Sequence, residues 1–163
     1  GAGRYDGGSA LVLDYVTIVA AASIPPTPDQ PIDTDLKGNG DQISLSGYAL
    51  GNSQVSPGST LELSLFWQAN GAVTTDYSVF VHLLDSAGTI WGQGDGPPAG
   101  NFYPTSAWDF GELVIDEREV TVDTDAPPGV YHLAVGLYEL STGVRLLTPE
   151  GDRVLLGDIE VEP

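Results

Sequence analysis

Cysteine and methionine are both missing from the 163 residues, which excludes thiol catalysis, cysteine-ligated zinc, iron–sulfur centres and a disulfide-stapled fold. Positive charge is nearly missing too: Lys37, Arg4, Arg118, Arg145 and Arg153 stand against 23 acids, for a net charge of −18. Such a surface repels phosphate backbones and anionic headgroups, so nucleic acid is not expected as a partner. The longest apolar stretch, Ala10 to Ile24, carries Asp14 and stops at Pro25-Pro26. It falls short of the about 20 apolar residues that a spanning helix needs, and no direct membrane insertion is expected. Repulsion among so many like charges predicts that added salt raises the melting temperature; a flat response from low to high salt would contradict it.

What the chain does have is 41% hydrophobic residues with 21 Gly and 12 Pro, enough apolar surface for a core and enough turn formers for many short strands. In Thr60 to Ala69, Leu61, Leu63, Leu65 and Trp67 share one face while Glu62, Ser64 and Gln68 share the other, the period of two that marks a half-buried strand. Only Phe66 breaks it. Tyr77 to Asp85 and Val130 to Leu140 alternate in the same way, with Phe80 as an extra apolar group on the polar face of the first. Residues 10–19, 43–50, 89–93, 113–122, 144–147 and 154–161 complete about nine strands, and no stretch has a stronger helical period. The expected fold is all-β: an immunoglobulin-like or jelly-roll β-sandwich of mostly antiparallel strands with almost no helix.

Three parts are expected. Residues 1–22 hold an N-terminal strand that reads as the end of a preceding domain, 23–42 form a Pro-rich linker, and 43–162 form the sandwich. The opening Gly1-Ala2-Gly3, without Met, fits a piece of a longer protein.

The run of Gly47-Tyr48, Pro57-Gly58, Phe66-Trp67-Gln68, Val79 through Asp85, Gly94-Asp95, Pro97-Pro98, Pro104-Thr105, Trp108, Pro127 through Tyr131 and Gly136-Leu137-Tyr138 resembles a known bacterial domain. It is similar to the extracytoplasmic β-sandwich that follows the membrane-spanning part of some polyprenyl-phosphate-sugar-dependent glycosyltransferases, also found in uncharacterised bacterial surface proteins. The likeness covers about residues 41–162. It implies an extracytoplasmic location, secreted or cell-surface, and neighbouring domains in a longer parent chain. It brings no catalytic residue, because the transferase chemistry would lie in the membrane part.

The best candidate site is the long loop from Gly92 to Phe110, since loops of that length in compact domains tend to be functional. Tyr103 and Trp108 offer flat apolar faces for a pyranose, with Trp91 just before them, and Asp95, Asn101 and Asp109 offer hydrogen bonds to its hydroxyls. Packing of Trp108 into the end of the core is the competing reading. Asp33, Asp35, Asn39 and Asp41 partly match a calcium loop, but Lys37 stands where an oxygen ligand belongs. A solvated acidic linker is the alternative there, and no other cofactor is expected. His82 and His132 lie on the polar faces of two central strands, where they either meet as metal ligands or bond singly. Tyr131, soon after Pro127-Pro128-Gly129, resembles the corner tyrosine of immunoglobulin-like sandwiches. Arg118 and Arg145 are expected in exposed ion pairs of little energetic consequence.

No G-x-S-x-G, H-E-x-x-H or P-loop motif occurs. The expectation is a monomeric, non-catalytic accessory module that binds a polysaccharide or the cell envelope weakly. The alternatives are a structural spacer or interdomain docking unit, with Phe66 and Phe80 as the docking face, and a carboxylate-pair hydrolase.

Overall fold

A computed structural model describes residues 29–101 and 103–163. The strand expected at 10–19 and the start of the linker lie outside the described residues. The strands are β1 (Gln30–Gly38), β2 (Asp41–Leu50), β3 (Gln54–Val55), β4 (Thr60–Ala69), β5 (Tyr77–Leu84), β6 (Ile90–Gln93), β7 (Leu113–Val122), β8 (Gly129–Glu139) and β9 (Val154–Val161). Two short 3-10 turns, Pro98–Asn101 and Thr105–Ala107, are the helical elements among the described residues. All nine strands belong to one mixed sheet in the order β1-β2-β4-β7-β6-β5-β8-β9-β3, curled into a half-barrel.

Curling turns the apolar faces of the two halves toward each other. Leu61, Leu63, Leu65 and Trp67 of β4 join Val79, Val81 and Leu83 of β5 and Leu133, Val135 and Leu137 of β8 in one core. Burial of each such large side chain contributes about 1.5–3 kcal/mol. The halves are joined on one side by the short β6, which pairs with both β5 and β7. On the other side a backbone clasp links them: Lys37 N–H donates to the Leu147 carbonyl, and Leu147 N–H donates back to Lys37, both at 2.8 Å. Leu146 N–H also donates to the Leu137 carbonyl of β8 at 2.9 Å. The segment expected as a strand at 144–147 is thus a short bridging piece held by isolated bridges to Tyr138 and Lys37.

The linker expected over 23–42 is corrected from residue 30 onward, where β1 pairs antiparallel with β2 and buries Leu36. Pro31 is tolerated because β1 is an edge strand. The register slips between Pro31 and Thr34, and Asp33 there has φ 58°, a bulge that destroys the alternation by which a strand is recognised.

The docking face expected at Phe66 and Phe80 is also corrected. Phe66 is 3% exposed and Phe80 2% exposed within this one chain. Phe80 sits opposite Gly136 on β8, and the Arg145 guanidinium lies 4.1 Å from its ring centroid, so the chain covers this ring itself. A Cβ on Gly136 would meet the Phe80 ring at 2.4 and 2.5 Å. Gly136→Ala is therefore expected to destabilise the domain by about 1–3 kcal/mol through overpacking. Chemical denaturation checks this, and an unchanged midpoint would contradict the close packing of Phe80.

The corner tyrosine is found as expected: the Tyr131 hydroxyl donates to the Pro127 carbonyl at 2.6 Å. Burial first, and the Asp85 carboxylate second, raise the pKa of this phenol.

Candidate functional site

The loop between β6 and β7 starts as a continuation of the sheet. Gly94 N–H donates to the Val81 carbonyl at 2.9 Å, and Gly96 and Val79 exchange bonds of 3.0 and 2.8 Å. Glycine is required at Gly94, because a Cβ would lie 2.7 Å from the Glu119 carbonyl oxygen of β7.

Beyond Gly96 the loop is fastened to the sheet by a buried pair that the sequence reading places elsewhere. Asp116 and Arg118 share the inward parity of Val114 and Val120 on β7. Arg118 Nε donates to Asp116 Oδ2 at 2.8 Å, Nη1 to the Gly94 carbonyl at 2.8 Å, and Nη2 to the carbonyls of Gly96 and Pro97 at 2.8 Å each. Asp116 also accepts the Trp67 indole N–H at 3.4 Å and the Ala99 N–H at 3.0 Å. Ala99 has φ 53°, a left-handed conformation that costs a non-glycine residue on the order of 1–2 kcal/mol and needs such anchoring to persist. The exposed pair expected for Arg118 is thus corrected: both partners are buried. The signal was present in the alternation, which put two opposite charges on the inward face of β7.

Of the residues expected to contact glycan, Trp91, Asp95, Tyr103, Trp108 and Asp109 do not converge. Trp91 lies on β6 beside the turn that follows β5, where its indole N–H donates to Asp85 Oδ2 at 2.9 Å. That bond, with backbone N–H groups of the turn, lowers the Asp85 pKa. The stabilisation is present above the ordinary carboxylate value and is lost as pH falls through the lowered one. Asp95 accepts the Val81 N–H at 3.0 Å and has His82 Nε2 at 3.6 Å. Asn101 ends the Pro98–Asn101 turn.

Tyr103, Trp108 and Asp109 sit at the opposite end of the strands, where Thr105 takes the Tyr77 N–H at 3.0 Å. Trp108 is 4% exposed, belongs to the core, and donates its indole N–H to the Tyr103 carbonyl at 2.9 Å. The expected stacking platform of Tyr103 and Trp108 is thereby corrected, because one of its two rings is packed inside. The Tyr103 hydroxyl donates to Glu112 Oε1 at 2.5 Å, and that oxygen also accepts the Asp109 N–H at 3.0 Å. The bond to Glu112, then burial, pushes the Tyr103 pKa up to about 12. The sign follows: a phenol whose pKa is raised on folding stabilises the fold fully below its unfolded value of about 10, and that contribution is lost between about 10 and 12. Ultraviolet titration of Tyr103→Phe against the parent is expected to lose one phenol ionising near the top of that window. If the missing phenol instead ionises near 10, the Tyr103–Glu112 bond is contradicted.

The calcium loop is not assembled. Asp35 Oδ1 accepts the Ser44 hydroxyl at 2.6 Å and the Asn70 amide at 3.4 Å. Asp41 is buried and accepts the Thr74 N–H at 3.0 Å and the Tyr77 hydroxyl at 2.7 Å. Asn39 donates to the Tyr77 hydroxyl and to Glu139, and Asp33 occupies the β1 bulge. Asp35, Asn39 and Asp41 thus bond to partners on β2, β5, β8 and the loop between β4 and β5. Among the described residues no group of three or more His, Cys, Asp or Glu side chains is placed to hold a metal. The two histidines have separate carboxylate neighbours: His132 Nδ1 lies 3.0 Å from Asp158 Oδ1, and His82 Nε2 lies 3.6 Å from Asp95 Oδ1.

Three further features lie outside the residues expected to form the site. Phe110, at the end of the long loop, is 78% exposed. A groove of about 500 Å³ runs beside β5, between Pro97, Pro98 and Pro104 on one side and Glu139, Leu140 and Ser141 on the other. A larger depression of about 620 Å³ lies over β2, β4 and β7. There Glu62 stands directly across from Glu119, both exposed on an open sheet face.

No protein-family profile matches this chain, and no curated protein does. Among solved structures, the alkylpurine DNA glycosylase AlkC of Pseudomonas fluorescens, bound to DNA with an abasic site analog, superposes with a TM-score of 0.48 at 12% identity, over 74% of this chain and 30% of that one. A CARDB domain from Pyrococcus furiosus in complex with di-metal ions gives 0.44 at 13% identity, over 80% and 94%. A β-glucosidase from Listeria innocua in complex with glucose gives 0.44 at 12% identity, over 76% and 16%. The chain thus spans less than a third of the glycosylase and about a sixth of the glucosidase it is similar to.

Proposed function

We propose that this domain is a non-catalytic accessory module of an extracytoplasmic bacterial protein, and that it serves as a docking unit between domains or proteins. The observation that carries this reading is how the aromatic loop is used. Trp108 is in the core, the Trp91 indole N–H is on Asp85, and the Tyr103 hydroxyl is on Glu112. A loop whose polar groups are bonded inward presents a fixed shape, which suits a module that positions neighbours. The extracytoplasmic location rests on the resemblance stated for residues 41–162.

Weak glycan binding is the second reading, favoured by one feature: Phe110 offers an open ring at the end of the same loop. A glycan array probed with the purified chain, with calcium and with chelator, separates the two. Silence in both conditions is the expected result. Binding of any glycan that is lost on Phe110→Ala would overturn the docking reading.

A further inference from the structure

We infer that the groove beside β5 takes a basic, extended segment of a partner protein, with a lysine or arginine side chain lying along it. This rests on the docking reading and names its surface and the chemistry of its partner. Its floor is Ser78, directly paired with Tyr138 on β8. Ser78 is 7% exposed and lines the groove.

The walls define which ligand. Pro97, Pro98 and Pro104 bring ring carbons and no N–H donor, and Leu140 opposite them is exposed. This is a lining for an aliphatic stem. Asp76 and Glu139 supply the charge. Asp76 Oδ1 accepts the Ser106 N–H at 3.1 Å and the Ser106 hydroxyl at 2.5 Å. Glu139 accepts from the Asn39 amide at 3.4 Å and from the hydroxyls of Ser141 and Thr142 at 3.3 Å. All of these donors are neutral, and no Lys, Arg or His among the described residues pairs with either carboxylate.

Among the described residues no Lys, Arg or His lines the groove. The four described Lys and Arg side chains stand elsewhere: Arg118 on Asp116, Arg145 over Phe80, Lys37 at the clasp and Arg153 ahead of β9. An acceptor-rich, cation-free, partly apolar channel on a chain of net charge −18 complements a donor-rich group on an alkyl stem. The same net charge steers basic segments toward it at low salt.

The test is amide-shift mapping on the ¹⁵N-labelled chain, titrated with acetyl-Lys-Ala-Lys-Ala-Lys-amide, with the matching glutamate peptide and with cellohexaose. The lysine peptide is expected to give saturable shifts at Ser78, Leu140 and Ser141, and the other two probes none. Asp76→Asn with Glu139→Gln should weaken binding about tenfold, and Leu140→Ser should weaken it as well. Glu62→Gln with Glu119→Gln removes the same number of charges on another face and should leave affinity unchanged. Equal weakening by that control pair would mean attraction by net charge alone and would overturn the groove. So would saturable shifts confined to another face, or none at all, although both results leave the docking reading standing. Shifts in the groove with cellohexaose would overturn the docking reading itself. Spectra of each variant before titration confirm the fold, and Leu140→Ser, at an exposed position, keeps the test decisive if a carboxylate variant unfolds.

Discussion

Arg118→Met is expected to lower the unfolding free energy by about 3–5 kcal/mol, the usual cost of leaving one partner of a buried ion pair behind. The charge left behind is Asp116, which is buried. The carbonyls of Gly94, Gly96 and Pro97 each lose a donor at the same time, Gly96 keeping the Val79 N–H. For a domain of this size, a loss of that order lowers the melting temperature by roughly 10 °C or more. Adding Asp116→Asn to Arg118→Met should restore part of the loss, because an asparagine oxygen still accepts the Ala99 N–H without bringing a charge. Thermal denaturation of the two single variants and the double variant measures the coupling. A cost below about 1 kcal/mol for Arg118→Met would place the pair among exposed salt bridges and contradict its burial.

Trp108→Ala is expected to cost about 3–5 kcal/mol, as large-to-small changes at buried aromatic positions do. The Tyr103 carbonyl would lose its indole donor, and the turn Thr105–Ala107 its adjoining anchor. Trp108→Phe keeps most of the apolar volume and should cost clearly less, mainly the bond to Tyr103. Loss of glycan binding in Trp108→Ala could not be read as loss of a contact, because the fold changes with it. Denaturant unfolding of both variants decides the matter. Equal and negligible costs would return Trp108 to the surface and restore the platform.

Much of the sheet was legible because β4, β7 and β9 have one face in the core, so buried and exposed side chains alternate along them, and β5 and β8 keep an apolar residue at every second position although their other faces are largely covered too. The β1 strand was hidden. Pro31, the bulge at Asp33 and the lack of a full ladder on its outer edge remove each local signal, and only pairing with β2 makes it a strand. Phe66 and Phe80 broke the alternation for a tertiary reason. Phe80 is covered through a glycine on β8 and an arginine 65 positions away in sequence, which no local pattern reveals.

The candidate site was legible only as a list of capable residue types. Trp91 and Tyr103 are close in sequence, but β6 carries one to the Asp85 turn and the loop carries the other to the Thr105 end. Likewise Asp35 and Asp41, six positions apart, fall into separate networks because a strand turn lies between them. The groove beside β5 draws its walls from three distant segments, near residues 76, 98 and 140. Spacing along the chain could not have joined them.

Hydrogen exchange at the tryptophan indole N–H groups tests the central claim most directly. Trp67 and Trp108 are expected to be protected together, to lose protection together in Arg118→Met, and to keep their shifts when cellohexaose is added. A Trp108 indole that exchanges freely in the parent chain and moves with the oligosaccharide would contradict the account, and would make the aromatic loop a binding surface.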